Sequence, residues 1–195
     1  MEGKAALLKR LAGLDCFYIE INECDPKILA QIIKAISPTF GGINLEDIKV
    51  PECFEVEKIL AESLDILVMH DDQHGRAITT VAALSNALWL VKKRFEDIRV
   101  VVHGAGAGAI ATAKLLLEMG VKGDHILMFD SKGLLHSGRE DLNIYKSQFA
   151  TNGVVCGLEE AMQGVDVFLG FSVGNVLKPA YLMGMATRPI VFALS

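Results

Sequence analysis

The run His103-Gly104-Ala105-Gly106-Ala107-Gly108-Ala109 restricts the possible folds of this chain more than any other stretch. It follows an apolar segment over 98–103 that reads as a strand, and it opens a helix-like segment over 106–119 that Gly120 ends. In a G-x-G-x-x-A loop of this kind, Gly104 permits a tight turn and Gly106 lets the backbone approach a pyrophosphate. Ala109 keeps the helix close to the strand, with Ala107 and Gly108 completing the bend. The amides and positive pole of the helix N-terminus then face the anion. A second strand over 126–129 closes on Asp130, about twenty residues on, where an acid is expected to bind ribose hydroxyls. Packing alone also selects small residues; the order strand, loop, helix, strand and acid is what points to a dinucleotide. Asp130 favours NAD because a carboxylate repels a 2′-phosphate, whereas Lys132 and Arg139 nearby offset that repulsion and keep NADP open.

The rest of the second half alternates in the same way. Helices are predicted near 158–162 and 179–186, and strands over 165–169 and 190–194. Such alternation predicts an α/β fold with a mostly parallel, Rossmann-like sheet covered on both faces. Ahead of it, residues 76–94 read as one long helix, apolar on nearly every face and so buried between layers, with Trp89 in the core and a basic end at Lys92-Lys93-Arg94. The division between two parts falls inside or just after that helix, giving domains over 1–78 and 79–195. Within the first part, 1–11 reads as a helix, and Phe17, Ile19 and Ile21 alternate as in a half-buried strand. Asp25-Pro26 caps a helix running to about Ile36, ended by Ser37-Pro38. A helix over 53–62 and a short buried strand over 65–69 follow.

Two acidic steps stand apart in sequence, Glu46-Asp47 after Gly41-Gly42 and Asp71-Asp72 inside His70-Asp71-Asp72-Gln73-His74. Carboxylates crowded into one cleft repel unless a cation compensates. Glu46, Asp47 and Asp71 or Asp72 would offer hard oxygen ligands that suit Mg²⁺ or Mn²⁺ better than zinc. The plain alternative is two solvated acidic turns. His70 and His74 read as packing beside the turn, His103 as structural, and His125 and His136 as surface residues.

The segments TFGGINLEDIKVPECFEVEKIL and VMHDDQHGRAITTVAALSNAL resemble, in order and separation, the metal-binding signature of the malic enzymes. The similarity runs through essentially the whole chain. It implies an NAD(P)-binding Rossmann-like domain preceded by part of an α/β N-terminal domain, and oxidative decarboxylation of (S)-malate to pyruvate and CO₂. It also implies a divalent ion, Mg²⁺ or Mn²⁺, on Glu46, Asp47 and Asp72, with the metal lowering the pKa of the substrate hydroxyl and stabilising an enolate. Lys4, in the setting Glu2-Gly3-Lys4-Ala5, matches the family's catalytic lysine, and Asp71 its acidic partner. As a base, Lys4 would need a lowered pKa. A cytoplasmic homodimer acting on a small molecule is the corresponding expectation. Arg76 stands where the family usually has threonine. The family's tyrosine lies upstream of Lys4, its Asn-Pro step follows the strand at 190–194, and Tyr18, Tyr145 and Tyr181 fit neither place. The chain therefore reads as incomplete at both ends, and binding of nucleotide or a partner without turnover is the alternative.

Composition excludes other classes. The 195 residues are 51% hydrophobic with a net charge of −5, too acidic and too evenly mixed for a polyanion partner such as nucleic acid. No apolar run is long enough for a membrane span. Cys16, Cys24, Cys53 and Cys156 lack metal spacing and read as reduced core thiols.

Overall fold

The computed structural model describes residues 2–153 and 155–194. Helix α1 (Glu2–Ala12) buries none of its residues, and an irregular segment leads from it to α2 (Pro26–Ile36). Asp25 caps α2 as its sequence requires, with Oδ1 accepting from the backbone N–H groups of Lys27 (2.9 Å) and Ile28 (3.0 Å). After a 3₁₀ turn at Ser37–Thr39 come β1 (Gly42–Leu45), α3 (Glu52–Ser63) and β2 (Leu67–His70). β1 and β2 pair in parallel as a two-stranded sheet. Leu29, Ala30 and Ile33 of α2 pack with Leu45, Val56 and Leu60 to form its small core.

The long helix α4 (Asp71–Val91) begins at the acidic step itself, five residues before the place read from sequence. Beyond it lie β3 (Val100–His103), α5 (Ala107–Glu118), β4 (Ile126–Asp130) and a short β5 (Gly133–Leu134). The chain continues through α6 (Ile144–Ser147), α7 (Leu158–Ala161), β6 (Val167–Gly170), α8 (Pro179–Met183) and β7 (Ile190–Ala193). The five strands are ordered β5-β4-β3-β6-β7, parallel except for β5. Side chains alternate across the pleat. Val100 and Val102 face Leu84, Leu88, Ile110 and Ala113 on one side, and Val101 faces Phe129, Met162 and Phe168 on the other. The sheet is thus covered on both faces, and β3 lies where connections leave in opposite directions, the crevice in which open α/β sheets bind ligands.

Several sequence expectations fail. Residues 17–21 form no strand: Phe17, Tyr18 and Ile19 are exposed, because alternation makes a strand only where a neighbouring edge supplies hydrogen bonds. β2 is not a buried strand, since Leu67 is exposed and only His70 at its end is buried. α4 is one-sided: Leu84 and Leu88 are buried, but Ile78 and Leu90 are not, and Trp89 is 79% exposed. Small residues such as Ala82, Ala83 and Ser85 blur its two faces in sequence. Of the free cysteines only Cys53 is buried; Cys16 and Cys24 are exposed on the irregular segment.

Candidate functional site

The parallel pairing of β1 with β2 sets Leu45 beside His70, so the two acidic steps that follow these strands emerge at the same sheet edge. Asp47 turns the chain in the left-handed region (φ 56°), and its backbone N–H donates to Asp72 Oδ2 at 3.1 Å. Lys4 reaches in from α1. Its ammonium donates to Glu46 Oε1 in a short contact and to Asp71 Oδ2 at 2.7 Å. Five predicted residues, Lys4, Glu46, Asp47, Asp71 and Asp72, therefore meet in one place.

Desolvation pulls the Lys4 ammonium toward its neutral form, but the hydrogen bonds it donates to Asp71 and Glu46, with their charges, outweigh it and raise the pKa above the ordinary lysine value. This is opposite to the expectation that Lys4 is tuned downward, because two carboxylates face it where a cation was expected. Glu46 is spent on Lys4 and on the Asn44 amide (3.2 Å), and among the described residues no three acidic, histidine or cysteine side chains converge as a formed metal cage. The donor chemistry still fits a hard divalent ion: Glu46, Asp47 and Asp72 are all carboxylates at one edge.

A residue passed over in the sequence organises this edge. Glu57 of α3 accepts from His70 N–H (3.0 Å), from the Gln73 amide (3.0 Å) and from His74 Nε2 (2.8 Å). It pins the first turn of α4 and with it Asp71 and Asp72. Only its place on a helix facing the turn distinguishes it, and linear spacing does not carry that. His70 is fully buried, both its ring nitrogens lack a hydrogen-bond partner among the described residues, and burial lowers its pKa.

The glycine loop continues from the end of β3. Gly104 has φ +124°, and its N–H donates to Phe129 O at 2.8 Å. A β-carbon there would stand 3.0 Å from the Phe171 backbone, so the position admits glycine alone. Among the described residues Gly106 N-caps α5 with no side-chain partner, and a β-carbon on it would meet nothing within 4 Å beyond its chain neighbours. That open space over a bare helix N-terminus is a cradle of the kind a diphosphate fills. Ala107, Gly108 and Ala109 are buried in the first turn. At Gly108 the helices nearly touch: a β-carbon would lie 3.0 Å from Asp72 O and 2.9 Å from Arg76 Cδ. His103 Nδ1 is 2.6 Å from Ser172 Oγ, in keeping with a structural role.

Asp130 ends β4 beside this loop, but it is not a free acceptor. Arg139 grips it with two bonds, Nη1 to Oδ1 (2.9 Å) and Nη2 to Oδ2 (3.0 Å); Lys146 Nζ adds 2.7 Å and Lys132 N–H 2.9 Å. Burial alone would raise the Asp130 pKa, yet these bonds hold it far below the usual carboxylate range. A ribose hydroxyl would have to displace one of them. Lys146, sixteen positions on, lies outside what the loop pattern reveals.

Two cavities meet at this place. One, of about 580 Å³, runs under α1 and is lined by Lys4, Leu8, Phe17, Ile19, Glu46 and Asp47. The other, of about 350 Å³, lies between the acidic turns and the glycine loop, against Asp47, Asp72, Arg76, Gly106, Gly108 and Phe171. Asp47 forms part of both walls.

Comparison with known proteins fits this arrangement. The family described as malic enzyme, NAD binding domain matches residues 73–195. An NADP-dependent malic enzyme of Halomonas elongata is 46% identical over 193 residues, spanning 99% of this chain and 46% of that protein. An NAD-dependent malic enzyme of Geobacillus stearothermophilus is 47% identical over 199 residues, spanning 100% of this chain and 41% of that protein. The chain thus spans less than half the length of these relatives. The crystal structure of the NAD-dependent malic enzyme of Thermotoga maritima superposes with a TM-score of 0.94 at 41% identity, covering 100% of this chain and 53% of that one.

Proposed function

The chain belongs to the malic enzyme family, and on that premise we propose that it carries the metal turn and cofactor sheet of an NAD(P)-dependent malic enzyme, converting (S)-malate to pyruvate and CO₂. The observation that carries the reading is the shared wall at Asp47, which sets the cavity holding Lys4 directly against the cradle at Gly106. In this reading residues 1–78 contribute the acid-binding part and 79–195 the cofactor-binding part.

Glu46, Asp47 and Asp72 would hold Mg²⁺ or Mn²⁺, which when bound supplies charge stabilisation at the substrate oxygens. Lys4 Nζ, aimed by Asp71, would hold and hand on the proton of the substrate hydroxyl as hydride leaves C2 for the nicotinamide. With two carboxylates on it, Lys4 rests protonated; engagement of Glu46 elsewhere removes one of them and brings its pKa toward the range a base needs. Gly104, Gly106, Ala107, Gly108 and Ala109 would seat the dinucleotide, with Asp130 and its cations beside the adenosine ribose. NAD and NADP both occur in the names of the relatives. No helix among the described residues is long and apolar enough to cross a membrane. A homodimer is part of the proposal, supported by exposed Ile78, Trp89 and Leu90 on α4, and the cytoplasm is the location it is proposed for.

The test is direct. Purified protein with Mn²⁺ and (S)-malate should reduce NAD⁺ or NADP⁺ and release pyruvate in equal amount. Binding of neither nicotinamide cofactor, measured by calorimetry, would overturn the reading.

A further inference from the structure

The cavity between the acidic turns and the glycine loop poses an electrostatic problem. Asp47 and Asp72 line it, and a diphosphate entering over Gly106 would sit in the field of both carboxylates. The bare amides of α5 carry only a partial positive charge. Until a divalent ion is seated on Glu46, Asp47 and Asp72, the repulsion is offset by whatever cation lines the cofactor side.

Two cations line that cavity, Lys49 and Arg76. Lys49 is already committed to Glu52 at 3.3 Å. Arg76 is exposed, always charged, and among the described residues its guanidinium has no hydrogen bond and no carboxylate within 4.0 Å. Its stem is nonetheless fixed. A β-carbon on Gly108 would lie 2.9 Å from Arg76 Cδ and 3.3 Å from Arg76 Cβ, so the side chain crosses the second residue of α5 and ends at that helix's N-terminal turn. Arg76 lines this cavity and not the one that holds Lys4, so it faces the cofactor side of the Asp47 wall.

We propose that Arg76 binds the diphosphate of the dinucleotide over the cradle at Gly106, as a full positive charge on the cofactor side of the Asp47 wall. The proposal rests on the cofactor site being where the proposed function puts it. A planar guanidinium can grip two phosphate oxygens at once, adding a full charge to the partial charges of the loop amides.

The experiment is calorimetry with ADP-ribose, which carries the diphosphate but no nicotinamide, on the full chain and its R76Q and R76K variants. R76Q keeps the stem across Gly108 and removes the charge. It should weaken ADP-ribose binding by roughly tenfold to a hundredfold and flatten its dependence on salt, while thermal unfolding stays as in the parent. R76K should recover part of the loss and so report on charge as distinct from packing. Equal ADP-ribose affinity in the parent and R76Q overturns the proposal and leaves the cofactor site standing. Loss of malate affinity with ADP-ribose affinity intact also overturns it, in favour of a substrate carboxylate. Failure of the parent chain to bind ADP-ribose removes the cofactor site itself.

Discussion

Lys4 Nζ stands 2.7 Å from Asp71 Oδ2, joining the first helix to the first turn of the long one across 67 positions of sequence. Neither residue is deeply buried, with side-chain exposures of 34% and 39%, so the pair adds little to stability and its value lies in aiming the ammonium. Replacing Lys4 by methionine should reduce kcat by at least about a hundredfold with the fold intact. In D71N the lysine loses a bond and a charge that raise its pKa, so the limb of the pH–kcat profile due to Lys4 should move to lower pH. An upward movement, or full turnover in K4M, would contradict the role assigned to Lys4.

Asp130 gives a prediction on stability and pH. Its folded pKa is depressed by Arg139 and Lys146, so its contribution is fully present above the ordinary carboxylate pKa of about 4 and is lost as pH falls below that toward the depressed value. D130N should lower the unfolding free energy by about 2–3 kcal/mol at pH 7, measured by urea denaturation. Repeated at successively lower pH, the gap between the two proteins should narrow. A constant gap would show that Asp130 acts through shape alone.

Gly104 and Gly106 should separate folding from binding. G104A forces a side chain onto φ +124° and against Phe171, costing about 1–3 kcal/mol. The added methyl of G106A meets nothing within 4 Å among the described residues beyond its chain neighbours, so its melting temperature should be unchanged while ADP-ribose affinity falls. Equal loss of stability in both would mean that the space over Gly106 belongs to the fold.

Trp89 is the single tryptophan and is 79% exposed. Iodide should quench its fluorescence nearly as well as that of free indole in a dilute monomer. Protection that disappears on dilution would mark α4 as the face between protomers.

How much of this could be read from the residues follows from range. The β3–loop–α5–β4 unit and the cap at Asp25 were legible because their signals are local: a short apolar run, small residues at fixed offsets, an acid before proline. The strand expected over residues 17–21 failed because alternation says nothing about whether an edge is available beside it. The burial of α4 failed because alanine and serine suit either environment. Only resemblance joins Lys4 to Asp71 in the sequence, since no local pattern spans positions so far apart. Glu57 and Lys146 carry no local signal for the same reason, each being an ordinary helical residue until the chain folds them onto the acidic turn and onto Asp130.

The approach of α4 to α5 has one more consequence. Asp72 O lies 3.0 Å from where a Gly108 side chain would begin, on the same turn that presents the Asp72 carboxylate. The gap between the acid-holding edge and the nucleotide cradle is therefore set like the jaws of a caliper, by two rigid rods in contact. Any enlargement at Gly108 would open those jaws and lengthen the path a hydride must cross, slowing transfer even where both ligands still bind.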